Sequence, residues 1–438
     1  MLPNSIGLPE FEILNVEEDS DGRCLIYEVR KPNPPRVCIK CGCITAFYRH
    51  GTEERNVWDM PIAGKLTVLK IKSSRYKCRE CNSTFFEEYD CIYEKDRITK
   101  RFREHIQGRC LKDTFTRIAQ DYSLTATTVR RIFAEFVEAN KEQLQYIAPR
   151  VMGIDEAHLN KVMRCVITDT EHNLLLDIME DRDSSTILKF IHTMKQPENI
   201  KVVTMDMYAP YRATIYRALP SVKIVVDKFH VVQLINRKMD EVRKQVRSNL
   251  TPKEHRVMIY IAKLMKANKE DISPKSKALL DDIFKVYPIL ETAYWLKERI
   301  RYMYQYKNRI DAGYVFKDFL AKVPPDCAPL MTAKNTFSAW SREIMNYFDY
   351  PYTNAYTESA NNLIKKIDKE GRSLSFEQMR YKALFSTKAT RPPKFVLKKA
   401  SLAKSQMFTY STSTSSMEPQ KVLVEGFGVD MDELIKEL

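Results

Sequence analysis

The stretch Val151-Met-Gly-Ile-Asp155 begins the part of the chain whose order of strands and helices decides the fold. Short apolar runs and amphipathic segments follow it as far as residue 235. The predicted strands are Val151–Asp155, Arg164–Thr168, Leu174–Ile178, Lys201–Asp206 and Val222–Asp227, with helices at Ser184–Met194 and Tyr211–Leu219. The order β-β-β-α-β-α-β predicts a mixed sheet, in which a meander is followed by right-handed crossovers.

Two acidic residues, Asp155 and Asp206, follow apolar residues at the ends of predicted strands. A buried carboxylate is costly unless it is paired or bound to a metal. The strand order is ribonuclease-H-like, and in such a sheet the first and fourth strands are parallel neighbours, so the two acids are expected side by side. Mg²⁺ (or Mn²⁺) prefers oxygen ligands and also binds phosphate oxygens. Taken singly, each acid could instead cap the end of its strand.

A third acid is expected on the helix that contains Tyr356-Thr-Glu-Ser-Ala-Asn-Asn-Leu-Ile-Lys-Lys-Ile367. Glu358, Asn361, Asn362 and Lys365 have the spacing of one helix face, and their side chains suit a metal ion and DNA phosphates. The residues predicted to pack inward are Leu363, Ile364 and Ile367. The plainer interpretation of Glu358 is a first-turn acid favoured by the helix dipole. With Asp155 and Asp206, Glu358 could complete a two-metal site for in-line phosphoryl displacement.

Residues 1–95 hold seven of the ten cysteines and are predicted to form a zinc-binding module. Two C-x-x-C pairs, Cys38/Cys41 and Cys78/Cys81, flank an alternating segment that predicts a strand at residues 65–72. Zn²⁺ takes four thiolates in a tetrahedron, and each pair supplies two, so a zinc ribbon with a structural Zn²⁺ is expected. Cys43 could replace Cys41 as a ligand, and reduced cysteines without metal are the alternative.

Residues 96–148 are basic and have two runs of apolar residues at helical spacing, which predict a helix-turn-helix. Thr125 is expected to cap the second helix. The residues that this helix would present to the DNA major groove are Thr127, Thr128, Arg130 and Arg131. The turn has no glycine, and a plain helical hairpin would show the same periodicity.

The remaining boundaries follow shifts in composition. Residues 149–235 are predicted to form the first part of the catalytic domain, 236–340 an all-helical insertion, 341–395 the second part with the Glu-bearing helix, and 396–438 a tail. The fold class predicted for the whole chain is therefore multidomain α+β.

The overall charge favours a polyanionic partner. The 438 residues include 71 Lys and Arg against 57 Asp and Glu, a net charge of +14, which points to nucleic acid first. The glycine-rich motifs of dinucleotide-binding and P-loop proteins are absent from the sequence. No apolar run is long enough for a membrane span, and the first residues do not resemble a signal peptide, so a cytoplasmic protein is expected.

The contexts of the three acids resemble the DDE triad of bacterial insertion-sequence transposases of the ISL3 family. The resemblance covers roughly residues 30–395 and implies that Asp155, Asp206 and Glu358 are catalytic metal ligands. Ser359 stands where the family often has glycine. The segment Asp227-Lys-Phe-His230 is similar to a [C/D]-x-x-H motif of related groups. It implies an accessory role for Asp227 and His230, either structural or in contact with the scissile phosphate or a flipped base.

The resulting prediction is a DDE transposase that binds terminal inverted repeats, hydrolyses DNA 3′ ends and joins them to target DNA by metal-dependent transesterification. Its partners would be transposon ends and target DNA, bound by a homodimer or larger assembly on the bacterial nucleoid. Two alternatives stay open at this stage. One is a non-catalytic DNA-binding regulator, and the other is a ribonuclease-H-like DNA nuclease.

Overall fold

The computed structural model describes residues 5–388, apart from residues 34, 45, 94–96, 145, 249 and 372–373. The predicted tail at 396–438 lies outside the described residues. The described chain is multidomain α+β, as predicted, with two five-stranded sheets and a set of helices.

The first sheet lies in the cysteine-rich part of the chain. Its strands are β1 (Glu12–Glu18), β2 (Cys24–Arg30), β3 (Phe47–Ile62), β4 (Lys65–Cys78) and β5 (Thr84–Phe86). They are ordered β1-β2-β4-β3, with β5 on β4, and only the β2–β4 pairing is parallel. Val29, Leu69 and Ile71 are fully buried in this sheet's core. The predicted strand at 65–72 is confirmed, and its extension to Cys78 brings the second cysteine pair beside the start of β3.

Three helices follow: α1 (Lys100–Cys110), α2 (Phe115–Asp121) and α3 (Ala126–Asn140). The predicted cap is confirmed, because Thr125 Oγ1 accepts a hydrogen bond from the Thr128 N–H at 3.1 Å. The turn between α2 and α3 contains no glycine, and Ser123 adopts the left-handed conformation there, with φ of 52°. A short 3₁₀ turn, Lys141–Gln143, follows α3.

The second sheet is the predicted mixed sheet. Its elements are β6 (Val151–Leu159), β7 (Val162–Asp169), β8 (Leu174–Ile178), α4 (Ser184–Thr193), β9 (Val202–Met205), α5 (Ala209–Ala218) and β10 (Lys223–Val226), with a 3₁₀ turn at Pro197–Asn199. The strand order is β10-β9-β6-β7-β8. The first and fourth predicted strands are parallel neighbours, as expected, with Gly153 opposite Thr204.

The described residues of the predicted insertion, 236–340, are helical and contain no strand. The helices in and next to this segment are α6 (Lys228–Ser248), α7 (Pro252–Lys266), α8 (Pro274–Val286), α9 (Pro288–Met303), α10 (Arg309–Lys322), α11 (Ala328–Ala339) and α12 (Ser341–Met345), with 3₁₀ turns at Lys269–Asp271 and Asn346–Phe348. Helix α6 begins directly after β10, eight residues before the helix that the sequence predicted at residue 236. Among the described residues, no helix is long and apolar enough to span a bilayer.

Two further helices, α13 (Ala355–Gly371) and α14 (Phe376–Lys388), return the chain to the sheet. Helices α4 and α5 pack with Met152 and Ile154 on one face of β6. On the other face, Ala157 and Leu159 pack with Ile364 of α13. The sheet is therefore covered by helices on both faces, and α13 lies directly on β6.

Gly153 allows α13 to approach β6 closely. A Cβ atom at this position would overlap the side chains of Thr168, Thr170 and Thr357, the last of which belongs to α13. We expect Gly153→Ala to destabilise the protein by about 1–3 kcal/mol through overpacking, measured as a lower urea midpoint. Gly108→Ala in α1 is the control, since nothing lies within 4 Å of its added Cβ. Equal midpoints for Gly153→Ala and the wild type would contradict this account.

Candidate functional site

Asp155 and Asp206 lie on neighbouring strands at the same level of the sheet. Gly153 of β6 is paired with Thr204 of β9, and each acid follows two residues later. Asp206 comes just after β9 ends, whereas β6 continues past Asp155 to residue 159. Burial, followed by the charge of Asp206, raises the pKa of Asp155 to about 6. The sheet therefore brings two carboxylates close enough to repel each other.

Asn361 of α13 orients the first of these acids. Its Nδ2 donates a hydrogen bond to Asp155 Oδ2 at 2.7 Å, and the side chain is only 3% exposed. Glu156 lies on the other face of β6 and pairs with Arg182 at 3.1 Å, so it does not join Asp155 as a candidate ligand. The DNA contact predicted for Asn361 stays a prediction, and its burial against Asp155 leaves little surface for it.

His230 stands between the second and third acids. Its Nε2 is 2.8 Å from Asp206 Oδ1 and 3.3 Å from Glu358 Oε1. Burial opposes a charged imidazole here, but the nearby negative charge of Asp206 outweighs it and raises the pKa of His230 to about 9. Burial is also the main cause of the raised pKa of Glu358. The imidazole thus links the loop after β9 to α13.

His230 and Asp206 are close, but the geometry of their contact is poor for a hydrogen bond. Neither Asp206 Oδ1 nor His230 Nε2 has a well-aligned hydrogen-bond partner, although both atoms are buried. A buried carboxylate oxygen without such a partner is unusual and calls for an explanation. Together with Asp155, it gives the set of hard oxygen donors that a divalent cation prefers.

Asp227 connects the helix of His230 to the helix of Glu358. Its Oδ1 accepts a hydrogen bond from the Phe229 N–H at 2.8 Å in the first turn of α6, and its Oδ2 accepts one from the Asn354 N–H at 2.5 Å, just before α13. This buried carboxylate therefore fixes the starts of both helices.

Asn354 was not found by sequence reasoning, yet it joins every segment of the site. Its side-chain amide donates to the Ile154 carbonyl at 3.1 Å, and its Oδ1 accepts from the hydroxyls of Thr204 at 3.1 Å and Thr357 at 2.7 Å. Each of these partners lies within two residues of one of the three acids along the chain. Its neighbours Pro351-Tyr-Thr carry no signal beyond the asparagine that can precede a helix.

For the DNA cleavage that the sequence predicts, we expect Asn354→Ala to lower the rate by about 100-fold in the folded protein. Loss of the amide frees three segments that hold the acids, and a displacement of about 1 Å in a catalytic group lowers the reaction rate by about this factor. The measurement is cleavage per folded molecule, with folding checked by circular dichroism.

Asn346→Ala is the matched control for Asn354→Ala. Asn346 is a buried asparagine whose Nδ2 donates to the Ile224 carbonyl at 2.8 Å, and neither residue lies within ten positions of the three acids. Both variants should lose stability, because each leaves a buried carbonyl without its donor. Equal cleavage rates for the two variants would mean that Asn354 acts on stability alone.

The exposed side of α13 differs in part from its prediction. Asn362 and Lys365 are exposed, so both side chains are available to a partner. Leu363 was predicted to pack inward, but this is wrong, since it is 38% exposed. The buried face of α13 consists instead of Thr357, Ala360, Asn361, Ile364 and Ile367. A polar asparagine thus takes a position on the packed face because Asp155 lies opposite.

The four predicted zinc ligands converge at one end of the first sheet. The Sγ atoms of Cys38, Cys41, Cys78 and Cys81 all lie within 4.8 Å of one another. The Cys38–Cys81 and Cys41–Cys78 separations are 3.8 and 3.7 Å, and a tetrahedral zinc–thiolate site with 2.3 Å bonds places sulfurs about 3.8 Å apart. Cys43 lies outside this set, although its sulfur is 3.2 Å from that of Cys78.

The residues predicted to read DNA occupy the first turns of α3. Thr127 and Arg131 are exposed, whereas Thr128 and Arg130 are half-buried. Thr128 Oγ1 is hydrogen-bonded to Thr125, and Arg131 forms an ion pair with Glu135 at 2.8 Å. Their contact with DNA stays a prediction.

Comparison with protein families gives three matches in chain order. Residues 34–81 match the zinc-finger of transposase IS204/IS1001/IS1096/IS1165, and residues 88–137 match the helix-turn-helix domain of transposase family ISL3. Residues 152–383, more than half of the chain, match the transposase domain of the same family. The chain belongs to the ISL3 family of transposases. No curated protein matched this ISL3 chain.

The three acids of this ISL3 family member are neighbours without forming a tight cluster. Among the described residues, only the four cysteines place three or more ligand atoms within 4.8 Å of one another. Asp155 and Asp206 are held by adjacent strands, and Glu358 is joined to Asp206 through His230. The donor set, with an Asp206 oxygen that has no aligned hydrogen-bond partner, nevertheless fits a divalent cation.

Proposed function

We propose that this ISL3 chain is an active DDE transposase that cuts the 3′ ends of its element and joins them to target DNA. The observation that carries the proposal is the approach of Asp155, Asp206 and Glu358, from three separate elements, around a buried carboxylate oxygen without an aligned partner. A DNA-binding regulator has no use for a carboxyl such as that of Asp155, whose pKa is raised by burial and by the charges of Asp206 and Glu358.

Asp155, Asp206 and Glu358 are the residues that would hold Mg²⁺ or Mn²⁺. When bound, the metal would lower the pKa of the attacking water or 3′-hydroxyl and stabilise the leaving 3′-oxygen. Other side chains prepare these acids for the reaction. Asn361 fixes the orientation of the Asp155 carboxylate, and Asp227 fixes the helix starts that present His230 and Glu358.

His230 has a separate part in this proposal. Its imidazolium compensates the charges of Asp206 and Glu358 when their carboxylates face each other. Because its nitrogen contacts both carboxylates, the side chain keeps the two acids in one site while DNA enters. In this proposal, the accessory role of Asp227 and His230 is to position the catalytic acids.

The N-terminal modules would supply recognition of the element ends. In this proposal, residues 1–95 and 96–148 form the zinc-binding and helix-turn-helix domains, and residues 149–395 form the interrupted catalytic domain. The four cysteines would hold a structural Zn²⁺, and the exposed Thr127 and Arg131 would approach base edges in the major groove. Exposed Asn362 and Lys365 on α13 would contact phosphates near the acids. Two ends must be held together, so a homodimer or larger assembly on DNA is expected.

The test uses the full-length protein and a duplex that carries the inverted repeat flanking its gene. We expect cleavage at the repeat boundary in Mg²⁺ or Mn²⁺, none with chelator, and joining of a pre-cut end to plasmid DNA. Cleavage without joining would favour a nuclease, and specific binding without either reaction would favour a regulator.

A further inference from the structure

Helix α14 lies between the helix-turn-helix domain and the catalytic sheet, and the function proposed above gives it no role. Each residue turns a helix by about 100°, so Arg380 and Lys382, two positions apart, point to opposite sides of α14. Arg380 binds Asp177 of β8, and Lys382 binds the turn between α1 and α2. We call Arg380, Lys382 and the nearby Phe385 the α14 joint.

On the side of the sheet, α14 is held by a buried ion pair. Arg380 Nε and Nη2 donate to the two carboxylate oxygens of Asp177, each at 2.6 Å. The Asp177 side chain is 1% exposed and also accepts a hydrogen bond from the Tyr146 hydroxyl at 2.7 Å. A bidentate pair fixes the direction as well as the distance between two groups. Helix α14 therefore cannot turn against β8 without breaking this pair.

On the opposite side, α14 is held to the helix-turn-helix domain by a buried lysine and an aromatic contact. Lys382 is only 5% exposed, and its Nζ donates to the Asp113 carbonyl at 2.6 Å. The Phe385 ring meets that of Phe136 in α3 edge to face, with centroids 5.2 Å apart. An ammonium group is costly to bury, so its place in this contact indicates a requirement for a fixed geometry.

The two domains share one hydrophobic core. Phe102 of α1 and Ile132 of α3 belong to the same cluster of buried side chains as Val166 of β7, Leu175 of β8 and Leu384 of α14. Domains that move independently have cores of their own and are joined by exposed linkers. The shared core therefore indicates that the helix-turn-helix domain and the sheet move together.

The connection between α3 and β6 is also held in place. The Ala148 N–H donates to the Lys195 carbonyl at 3.0 Å, and the Lys195 N–H donates to the Tyr146 carbonyl at 2.8 Å. The hydroxyl of Tyr146 binds the same Asp177 carboxylate as Arg380 does. This connection is therefore fixed by its backbone and by a side chain, unlike a flexible linker.

We propose that the α14 joint unites the helix-turn-helix domain and the catalytic sheet in one rigid body, which sets the number of base pairs between the bases read by α3 and the phosphodiester that is cut. This inference rests on the proposed function. Duplex DNA is stiff over about 150 base pairs and advances about 3.4 Å per base pair. A fixed distance in the protein thus becomes a fixed number of base pairs, and Lys382 is the positioning residue that maintains it.

The first test offers the full-length protein two cut sites on one DNA. The outermost five base pairs of the inverted repeat, outside the bases that α3 protects in a footprint, occur twice in tandem. Both copies present the same boundary sequence, but only the inner copy is at the natural distance from α3. We expect the wild type to cut at the inner copy at least tenfold more often than at the outer copy. Comparable cutting at the two copies would overturn the proposal.

A change in the α14 joint should weaken this preference. Lys382→Met removes the amine and keeps an unbranched side chain of similar length. We expect the share of cuts at the outer copy to rise at least fivefold, with total cleavage within threefold and DNA affinity within twofold of the wild type. A loss of stability alone would lower cutting at both copies equally.

Lys297→Met is the matched control for Lys382→Met. Lys297 is 2% exposed, and its Nζ donates to the Ala267 carbonyl at 2.7 Å within the helical insertion. It is therefore also a buried lysine bound to a backbone carbonyl, but outside the α14 joint. We expect Lys297→Met to keep the wild-type preference. Equal preferences in the two variants would overturn the role of Lys382.

Hydrogen exchange of the wild type without DNA tests the rigid body separately from cleavage. We expect the amides of Ala148 and Lys195 to exchange within tenfold of the rate of the amides in β8, and faster exchange would overturn the rigid body. The two proposals fail in different ways. Cutting at both copies would overturn the role of the α14 joint and leave the proposed function standing. No cleavage of the natural end would overturn the proposed function, whereas slow exchange would still support the rigid body.

Discussion

Replacement of Asp206 by asparagine is expected to reduce Mg²⁺-dependent cleavage and joining at least about a thousand-fold. Metal-ion catalysis supplies several kcal/mol of transition-state stabilisation, and about 1.4 kcal/mol corresponds to a factor of ten in rate. Asparagine keeps the size of the side chain but removes the charge of the carboxylate whose Oδ1 is buried without an aligned partner. The measurement is the rate of strand cleavage under single-turnover conditions.

The fold should survive this change. Asp206 lies beside Asp155, and its charge raises the pKa of that neighbour, so its removal relieves a repulsion. The same change removes the ion pair of Asp206 with His230, which opposes this gain, so unfolding temperature and DNA affinity are expected to stay close to those of the wild type. Asp183→Asn, an exposed acid at the start of α4 that makes no capping hydrogen bond, is the matched control and should retain full activity. Cleavage by Asp206→Asn at the wild-type rate would exclude the proposed mechanism.

Loss of zinc is expected to produce the second large effect. Structural zinc sites contribute about 10–16 kcal/mol of binding free energy in small peptides, so Cys78→Ser should unfold the end of the β3–β4 hairpin. Amides near the four cysteines should exchange hydrogen much faster, and affinity for the element ends should fall at least about tenfold, or about 1.4 kcal/mol. Zinc content per chain and hydrogen exchange are the measurements.

The rest of the first sheet should remain folded without zinc. Val29, Leu69 and Ile71 at the centre of its core are fully buried, and this core includes none of the four candidate zinc ligands. Cys43→Ser is the control, because Cys43 lies outside the set of four mutually close sulfurs. It should retain one zinc per chain. Stoichiometric zinc in Cys78→Ser, or none in the wild type, would contradict the site.

The catalytic sheet shows how much of the fold a linear pattern can specify. The strand Leu174–Ile178 was predicted to the residue, and helix α4 differs by one residue at its end. These elements have clear periodicity and polar boundaries, which are local properties. The start of α6 was missed because Lys228 and Phe229 lack a periodic pattern, and the helix is started there by Asp227, which also binds the distant Asn354.

The side chains of α13 show where helical spacing fails as a guide. Spacing placed Asn361 with the exposed Asn362 and Lys365, and placed Leu363 inside. The structure buries Asn361 and exposes Leu363, because Asp155 on β6 provides a hydrogen-bond acceptor under the helix. Helical spacing indicates which residues share a face, but it cannot show what lies opposite that face.

The sequence by itself determined the order of modules, the two cysteine pairs and the two acids at strand ends, because each of these depends on residue types only a few positions apart. Only the tertiary structure decided that His230 bridges Asp206 and Glu358 and that Asn354 joins the strands to α13. The contacts of His230 with Glu358 and of Asn354 with Ile154 and Thr204 connect residues separated by more than 100 positions. Such pairs are brought together by the packing of helices on the sheet rather than by any local pattern.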